Sequence, residues 1–252
     1  MNSMKALASV VLLSLTLEAA AEETMPTAQQ IERDEILSLT ALAVVYRDWQ
    51  KAPITADSRG HNIGSILVDK DSTPVFWARN AANKTDNASQ HGEVRLIQNF
   101  LNCPSVGKYA KGYTVYTTLE PCAMCTGLMT LTRVSRVVYV QADPGFGHAR
   151  DALKKINYPN VFDQYSPSDL DQKKALEAGF QNYSQGKENP SITDFLLTVE
   201  ARNAFSDAEK QLSDYKAIYP ENAAIVANAQ AFVNKVPGVE GEDHLPDYCP
   251  TK

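Results

Sequence analysis

The chain is short of positive charge. Its 24 Lys and Arg face 30 Asp and Glu, a formal net charge of −6 over 252 residues. Proteins that bind polynucleotides draw much of their affinity from basic patches that displace counterions. The acidic balance therefore disfavours a general polyanion binder and favours a small substrate, a local basic groove being the one exception. Long apolar runs are missing too. The run from Ala6 to Leu17 is about a dozen residues, where a membrane-spanning helix needs ~20. No convincing internal repeat is present, and two late helical segments do not make a solenoid. There are only four histidines and four cysteines, so where they stand is informative.

What is present fits one sizeable α/β domain with an appendage. Met1 to Lys5 carries one positive charge, Ala6 to Leu17 is apolar, and Ala19-Ala20-Ala21 offers small residues before Glu22-Glu23. That is the layout of a signal peptide over residues 1–21, and it predicts a periplasmic or secreted protein with no membrane span after its removal. The competing reading of this segment is a helical N-terminal extension. An exported enzyme does not meet the cytoplasmic tRNA pool. Three glycosylation acceptor strings begin at Asn83, Asn87 and Asn182. Sugars at the first two would crowd the expected pocket, which favours a bacterial source.

Apolar spacing predicts a helix from Thr27 to Trp49, on Ile31, Ile36, Leu37, Leu39, Leu42, Ala43 and Tyr46. Ile63 to Asp69 and Val75 to Arg79 read as a hairpin. A helix from His91, a strand at Tyr113 to Thr117, a helix at about Ala123 to Arg133 and a strand at Arg136 to Tyr139 follow. Arg150 to Ile156 reads as helical and Val161 to Tyr165 as a fifth strand. The expected fold is α/β, a three-layer α/β/α sandwich on a five-stranded mixed sheet, parallel in its second half. It occupies residues 27–165, a helical extension takes 166–236, and a tail takes 237–252. Within the extension, Thr193 to Ile218 reads as one helical stretch and Ala223 to Val236 as another, broken at Pro220. The extension either packs on the core, narrows the pocket as a lid, or meets a partner or second copy.

Two strings carry chemistry: His91-Gly92-Glu93, and Glu120-Pro121-Cys122-Ala123-Met124-Cys125, with Cys122 following His91 by 31 positions. Alone, a Cys-x-x-Cys pair in an exported chain reads as a redox pair or a disulfide, and His-x-Glu recurs by chance. Together they supply an imidazole and two thiolates to one Zn2+ per chain, leaving a fourth position for water. Zinc lowers the pKa of such a water from ~15.7 toward ~7. Glu93, two residues from the imidazole, becomes the proton shuttle that a hydrolysis expelling an amine requires. A purely structural zinc would be closed by a fourth protein ligand, and none is near. His61 and His148 read as surface or supporting residues. A helix start at the second string would favour thiolates at Cys122 and Cys125 through its unpaired N–H groups. Cys103 and Cys249 are left as an even pair, readable either as a disulfide or as two free thiols.

From about Asn62 to Gly147 the sequence resembles the zinc-dependent cytidine and deoxycytidylate deaminase superfamily. Thr117 to Cys125 is similar to the tRNA adenosine deaminase and guanine deaminase branch. His91-Gly92-Glu93 with Thr117-Thr118-Leu119 and Cys125-Thr126-Gly127 is equally similar to the fungal cytosine deaminases. Arg136-Val137-Val138-Tyr139 matches the strand that follows the second metal helix. The resemblance implies a substrate-binding role for Asn80, eleven residues before His91, as a hydrogen-bond partner of the base; a turn asparagine is the alternative. By analogy with deaminase C-termini, His244, Tyr248 and Cys249 are candidates to close the pocket. There are departures. Asn87 to Gln90 stands where the tRNA enzymes carry Asp-Pro-Thr-Ala, Gly92 replaces an alanine, and Glu120 replaces the serine of the fungal enzymes. The expectation is a zinc-dependent hydrolase that deaminates a free nucleobase, nucleoside or similar amino-heterocycle, its self-association left open. The alternatives are a secreted nucleic-acid deaminase and a non-catalytic zinc-stabilised binding module.

Overall fold

The structure, a computed structural model, describes residues 26–237 and residue 249. Residues 1–21, read above as a signal peptide, and His244 and Tyr248 of the tail lie outside the described residues. Among the described residues no helix is long and apolar enough to cross a membrane.

Helix α1 (Ala28–Tyr46) opens on a capping box. The Thr27 hydroxyl accepts from the Gln30 N–H at 3.2 Å, and the Gln30 side chain accepts from the Thr27 N–H at 2.8 Å. From Ile36 to Val45 every residue is buried, and a helix apolar all round must be covered on every side. One side is the sheet. Strands β1 (Gly64–Val68) and β2 (Pro74–Arg79) form an antiparallel hairpin. Strand β3 (Thr114–Leu119) is antiparallel to β1, while β4 (Arg136–Gln141) and β5 (Asp163–Tyr165) continue parallel to it, in the order β2-β1-β3-β4-β5. The switch to parallel follows from the connections. A short turn returns the chain antiparallel, whereas a helical crossover brings it back parallel.

Alternate strand residues point to opposite faces. Leu67, Phe76, Val115 and Val137 pack against α2 (Gly92–Leu101) and α3 (Ala123–Leu131). Ile66, Trp77, Tyr116 and Val138 pack against α1. Asp34 of α1, fully buried, accepts from both Arg136 terminal nitrogens at 2.7 Å and from the Tyr116 hydroxyl at 2.7 Å, stapling the helix to β3 and β4. Helix α4 (Ala149–Lys155) lies beside α3.

The outer side of α1 is covered by the C-terminal helices α7 (Val199–Asp214) and α8 (Ala223–Lys235) and a 3-10 turn at Pro220–Asn222, while α5 (Asp171–Ser184) packs on α7 and β4 and α6 (Ile192–Phe195) on α5. Their Phe195, Phe205, Leu212 and Val233 belong to the same buried cluster as α1 and the sheet. The single helical stretch expected from Thr193 to Ile218 is broken. Thr198 caps a new helix by accepting from the Ala201 N–H at 3.2 Å, so α6 ends and α7 begins.

Cys249 is bonded to Cys103, which follows the C-terminus of α2. The twelve positions from His91 to Cys103 span about 18 Å at ~1.5 Å per residue. That distance corrects the expectation that Cys249 reaches the pocket: it is held at the opposite end of α2.

Candidate active site

Three backbone segments meet at one end of the central strands. In the ladder Ser65 pairs with Thr117 and Gly64 with Arg79, so the start of β1, the end of β2 and the end of β3 lie together. The Thr118 hydroxyl accepts from the Gly64 N–H at 3.2 Å. Helix α2 starts here, pressed onto the sheet. A Cβ at Gly92 would stand 3.0 Å from Gly64 Cα and 3.2 Å from the Ala78 carbonyl oxygen. Glycine lets the first turn of α2 sit that close, which accounts for one departure from the deaminase pattern.

His91 is the N-cap of α2, Glu93 lies in its first turn, and Cys122 is the N-cap of α3 with Cys125 one turn on. Neither cap side chain bonds its own helix backbone, so both are free to face the gap between the two helix starts. His91 Nδ1 lies 3.7 Å from Cys122 Sγ and 3.6 Å from Cys125 Sγ, and the sulfurs are 3.6 Å apart. Typical zinc bond lengths on a regular tetrahedron put two sulfurs about 3.8 Å apart and a nitrogen and sulfur about 3.6 Å apart. The three donors thus form one face of such a tetrahedron and could hold a metal ion. Their electrostatics agree. Hydrogen bonding with Cys125 and with His91 brings the Cys122 thiol down to about 4. Cys125 is pushed up, by its hydrogen bond to Cys122 and by burial, since a second thiolate would be close to the first. A divalent cation removes that conflict.

Glu93 is buried beside them, 3% exposed. Its Oε1 accepts from the Thr117 hydroxyl at 3.0 Å and its Oε2 from the Cys125 thiol at 3.5 Å. Burial raises the Glu93 carboxyl above the usual range. Asn80 is held on several sides. Its Oδ1 accepts from the His61 and Ala82 N–H groups, both at 3.2 Å, and its carbonyl accepts from Arg59 Nη1. A Cβ at Gly60 would lie 2.2 Å from that Oδ1, so the loop closes around Asn80 only with glycine there. With Oδ1 taken by backbone donors, Nδ2 is the group Asn80 has to offer.

These residues line a cavity of about 550 Å³, within the range of small-molecule sites. His91, Glu93, Cys122 and Asn80, expected from the sequence, all border it, and Cys125 lies buried behind them. Others were not assigned a role from the sequence. His61 borders it with its pKa lowered by burial and then by His91, so its imidazole is neutral at pH 7. The Glu120 carboxylate is buried under the rim. Its Oε1 accepts from the His148 N–H at 2.9 Å and its Oε2 from the Asp143 N–H at 3.2 Å, which holds the Asp143–Gly147 turn with Phe146 at the edge. Pro190 to Thr193 of the C-terminal extension also line the cavity. Only Glu120 had a local signal, its place in the Cys-x-x-Cys string. A second cleft of about 410 Å³ at Arg47, α7 and α8 is lined by charged side chains such as the Arg47–Glu209 pair and contains no metal-ligand set.

Residues 41–141 match the family model described as the cytidine and deoxycytidylate deaminase zinc-binding region. A cytosine deaminase of Candida albicans is 39% identical over 79 residues, 31% of this chain and 51% of that protein, so the chain spans about half of its length. A tRNA-specific adenosine deaminase of Streptococcus pyogenes is 30% identical over 126 residues, 50% of this chain and 73% of that protein. Among solved structures, the guanine deaminase of Bacillus subtilis is 21% identical with a TM-score of 0.31, covering 52% of this chain and 85% of that one.

Proposed function

This chain belongs to the cytidine and deoxycytidylate deaminase family, and from that premise we propose that it hydrolyses the exocyclic amine of a free nucleobase, nucleoside or similar amino-heterocycle, releasing ammonia with one zinc per chain. The supporting observation is the juxtaposition of the Glu93 carboxylate with the His91, Cys122 and Cys125 donors at one cavity. Zinc held by those three residues would supply Lewis acidity, lowering the pKa of a water in its fourth position from ~15.7 to about 7.

The remaining work falls to the chain's own groups. Thr117 fixes Oε1 of Glu93, leaving Oε2 to make two transfers: it takes one proton of the attacking water to a ring nitrogen, and then takes that water's second proton to the departing amine. Burial keeps that carboxyl poised to hold a proton as well as release it. Shuttling of this kind is worth ~10²–10⁴ in rate. Asn80 offers its Nδ2 to an acceptor on the ring. Ile63, Leu119 and Phe146 give the ring apolar surface and displace water. The acidic balance and the cavity's size both favour a small substrate over a polynucleotide.

The test is an ammonia-release screen of the zinc-loaded protein against free bases, nucleosides and pterins, with zinc counted by elemental analysis. One zinc per chain and release from a narrow set of these amines is the expected result; no release from any of them overturns the proposal. The same reading has residues 1–21 directing export. Cell fractionation with N-terminal sequencing checks it, and an uncleaved cytoplasmic protein would refute it.

A further inference from the structure

The cavity has a wall that the deaminase motifs do not supply. Pro190 to Thr193, which run from the α5–α6 connection into the first turn of α6, border it together with His61 and Ile63. The matched family region ends at residue 141, so this wall belongs to the extension.

The wall is built in rather than hinged. Ile192, Phe195 and Leu196 are 7%, 0% and 1% exposed and share a buried cluster with Ile63. Asn62, wholly buried, stands between the two cavity-lining residues His61 and Ile63 and grips the extension from behind. Its Nδ2 donates to the Leu196 carbonyl at 3.0 Å and to the Gln50 carbonyl at 2.8 Å, and its Oδ1 accepts from the Gln50 N–H at 2.8 Å. Every hydrogen-bonding position of that amide facing the extension is thus committed, which argues for a fixed surface instead of a lid.

The chemistry of the wall is specific. Ser191 Oγ accepts from the Asp194 N–H at 3.2 Å and lies 2.8 Å from Thr193 Oγ1. Two hydroxyls have two protons, and their mutual bond uses one. When Ser191 gives its proton to the shared bond, Thr193 keeps its own as a donor for a ligand. Asn80 presents a second donor through Nδ2 elsewhere in the same cavity.

We propose that the Pro190–Thr193 loop is the specificity wall of this enzyme, with Thr193 contacting the edge of the substrate ring, so that the C-terminal extension selects which base is accepted. This rests on the deaminase reading above. The probes are cytosine, adenine, guanine and their nucleosides, titrated by calorimetry into zinc-loaded Glu93→Gln protein so that binding is read without turnover. Thr193→Val keeps the side chain's shape and removes the hydroxyl. It should weaken the probe that uses the hydroxyl about tenfold, the range of a neutral hydrogen bond, and change the others less than about twofold. Thr193→Trp should fill the cavity and abolish binding of all probes. Zinc content and Tm should match the parent in both variants. Unchanged or uniformly shifted affinities in Thr193→Val, or binding that survives in Thr193→Trp, overturn the wall while leaving the deaminase reading intact. If no probe binds the Glu93→Gln parent and wild type releases no ammonia, the small-substrate reading falls and the wall with it.

Discussion

Replacing Glu93 by Gln separates catalysis from architecture, and the structure sets the expected size of each effect. Glutamine matches glutamate in shape. Its Oε1 keeps the 3.0 Å bond from the Thr117 hydroxyl, and its amide nitrogen takes the place of Oε2, 3.5 Å from Cys125 Sγ, where it donates to a thiolate. A neutral amide also costs less to bury than a carboxylate that is 3% exposed. The variant should therefore fold with a Tm equal to or above wild type and keep one zinc per chain. What it loses is the capacity to carry a proton. Losing a general acid–base group typically costs ~10²–10⁴ in rate, about 3–5 kcal/mol of barrier. Steady-state ammonia release, elemental zinc analysis and calorimetric melting on the same preparation read the three quantities. Activity within tenfold of wild type with zinc still bound would refute the proton-shuttle role. Loss of zinc would show that Glu93 supports the metal rather than the reaction.

Metal removal should be costly. Chelation ought to lower Tm by about 5–10 °C, since a ligand at ~100 times its Kd adds about 2.7 kcal/mol, and Zn2+ but not Mg2+ should restore it. Because Cys125, whose thiol is pushed up, must lose its proton to ligate while Cys122 is already low, zinc affinity should rise with pH up to about tenfold per unit, read by competition with a chromophoric chelator. Glu120→Gln puts an amide donor against one of two backbone N–H donors, Asp143 or His148. It should cost about 2 kcal/mol and raise KM with zinc retained; an unchanged KM would show that the rim turn does not shape the pocket. Glu35 has its carboxyl raised by burial and then by Asp169, Glu32 and Asp171. Its folded pKa lies above its unfolded one, so its protonated form favours the fold at low pH, and that advantage is lost as pH rises through the folded pKa. Glu35→Gln should therefore raise Tm slightly at pH 7.5 and leave it unchanged at pH 4; the reverse pattern in a melting series would contradict that sign.

Much of the fold follows from patterns that need no distant partner. Ile36 to Val45 is apolar enough to demand cover on every side, and the strand–helix alternation from Thr114 to Gln141 requires parallel crossovers. Element ends were less legible. Thr198 stops a helical stretch that its apolar residues would continue, because a hydroxyl cap competes locally with helix propagation. The disulfide of Cys103 with Cys249 could not be told from two free thiols, since pairing depends on where the tail returns across 146 residues.

At the site the division is sharper. Sequence alone determined which atoms could do the chemistry: one imidazole, two thiols and a carboxylate, held at spacings that put each pair on the first turn of a helix. Those are properties of side-chain type and helical period, and both are local. Only the tertiary structure decided that the two helix starts converge to donor separations of 3.6–3.7 Å. It also decided that Asn80 has its oxygen committed and its amide nitrogen to offer, and that a segment about 65 residues after the second metal string borders the same cavity. Such juxtapositions arise from which apolar faces bury against which. Ile63 and Ile192 share a cluster because α1 needs cover on both sides, and no spacing along the chain encodes that contact.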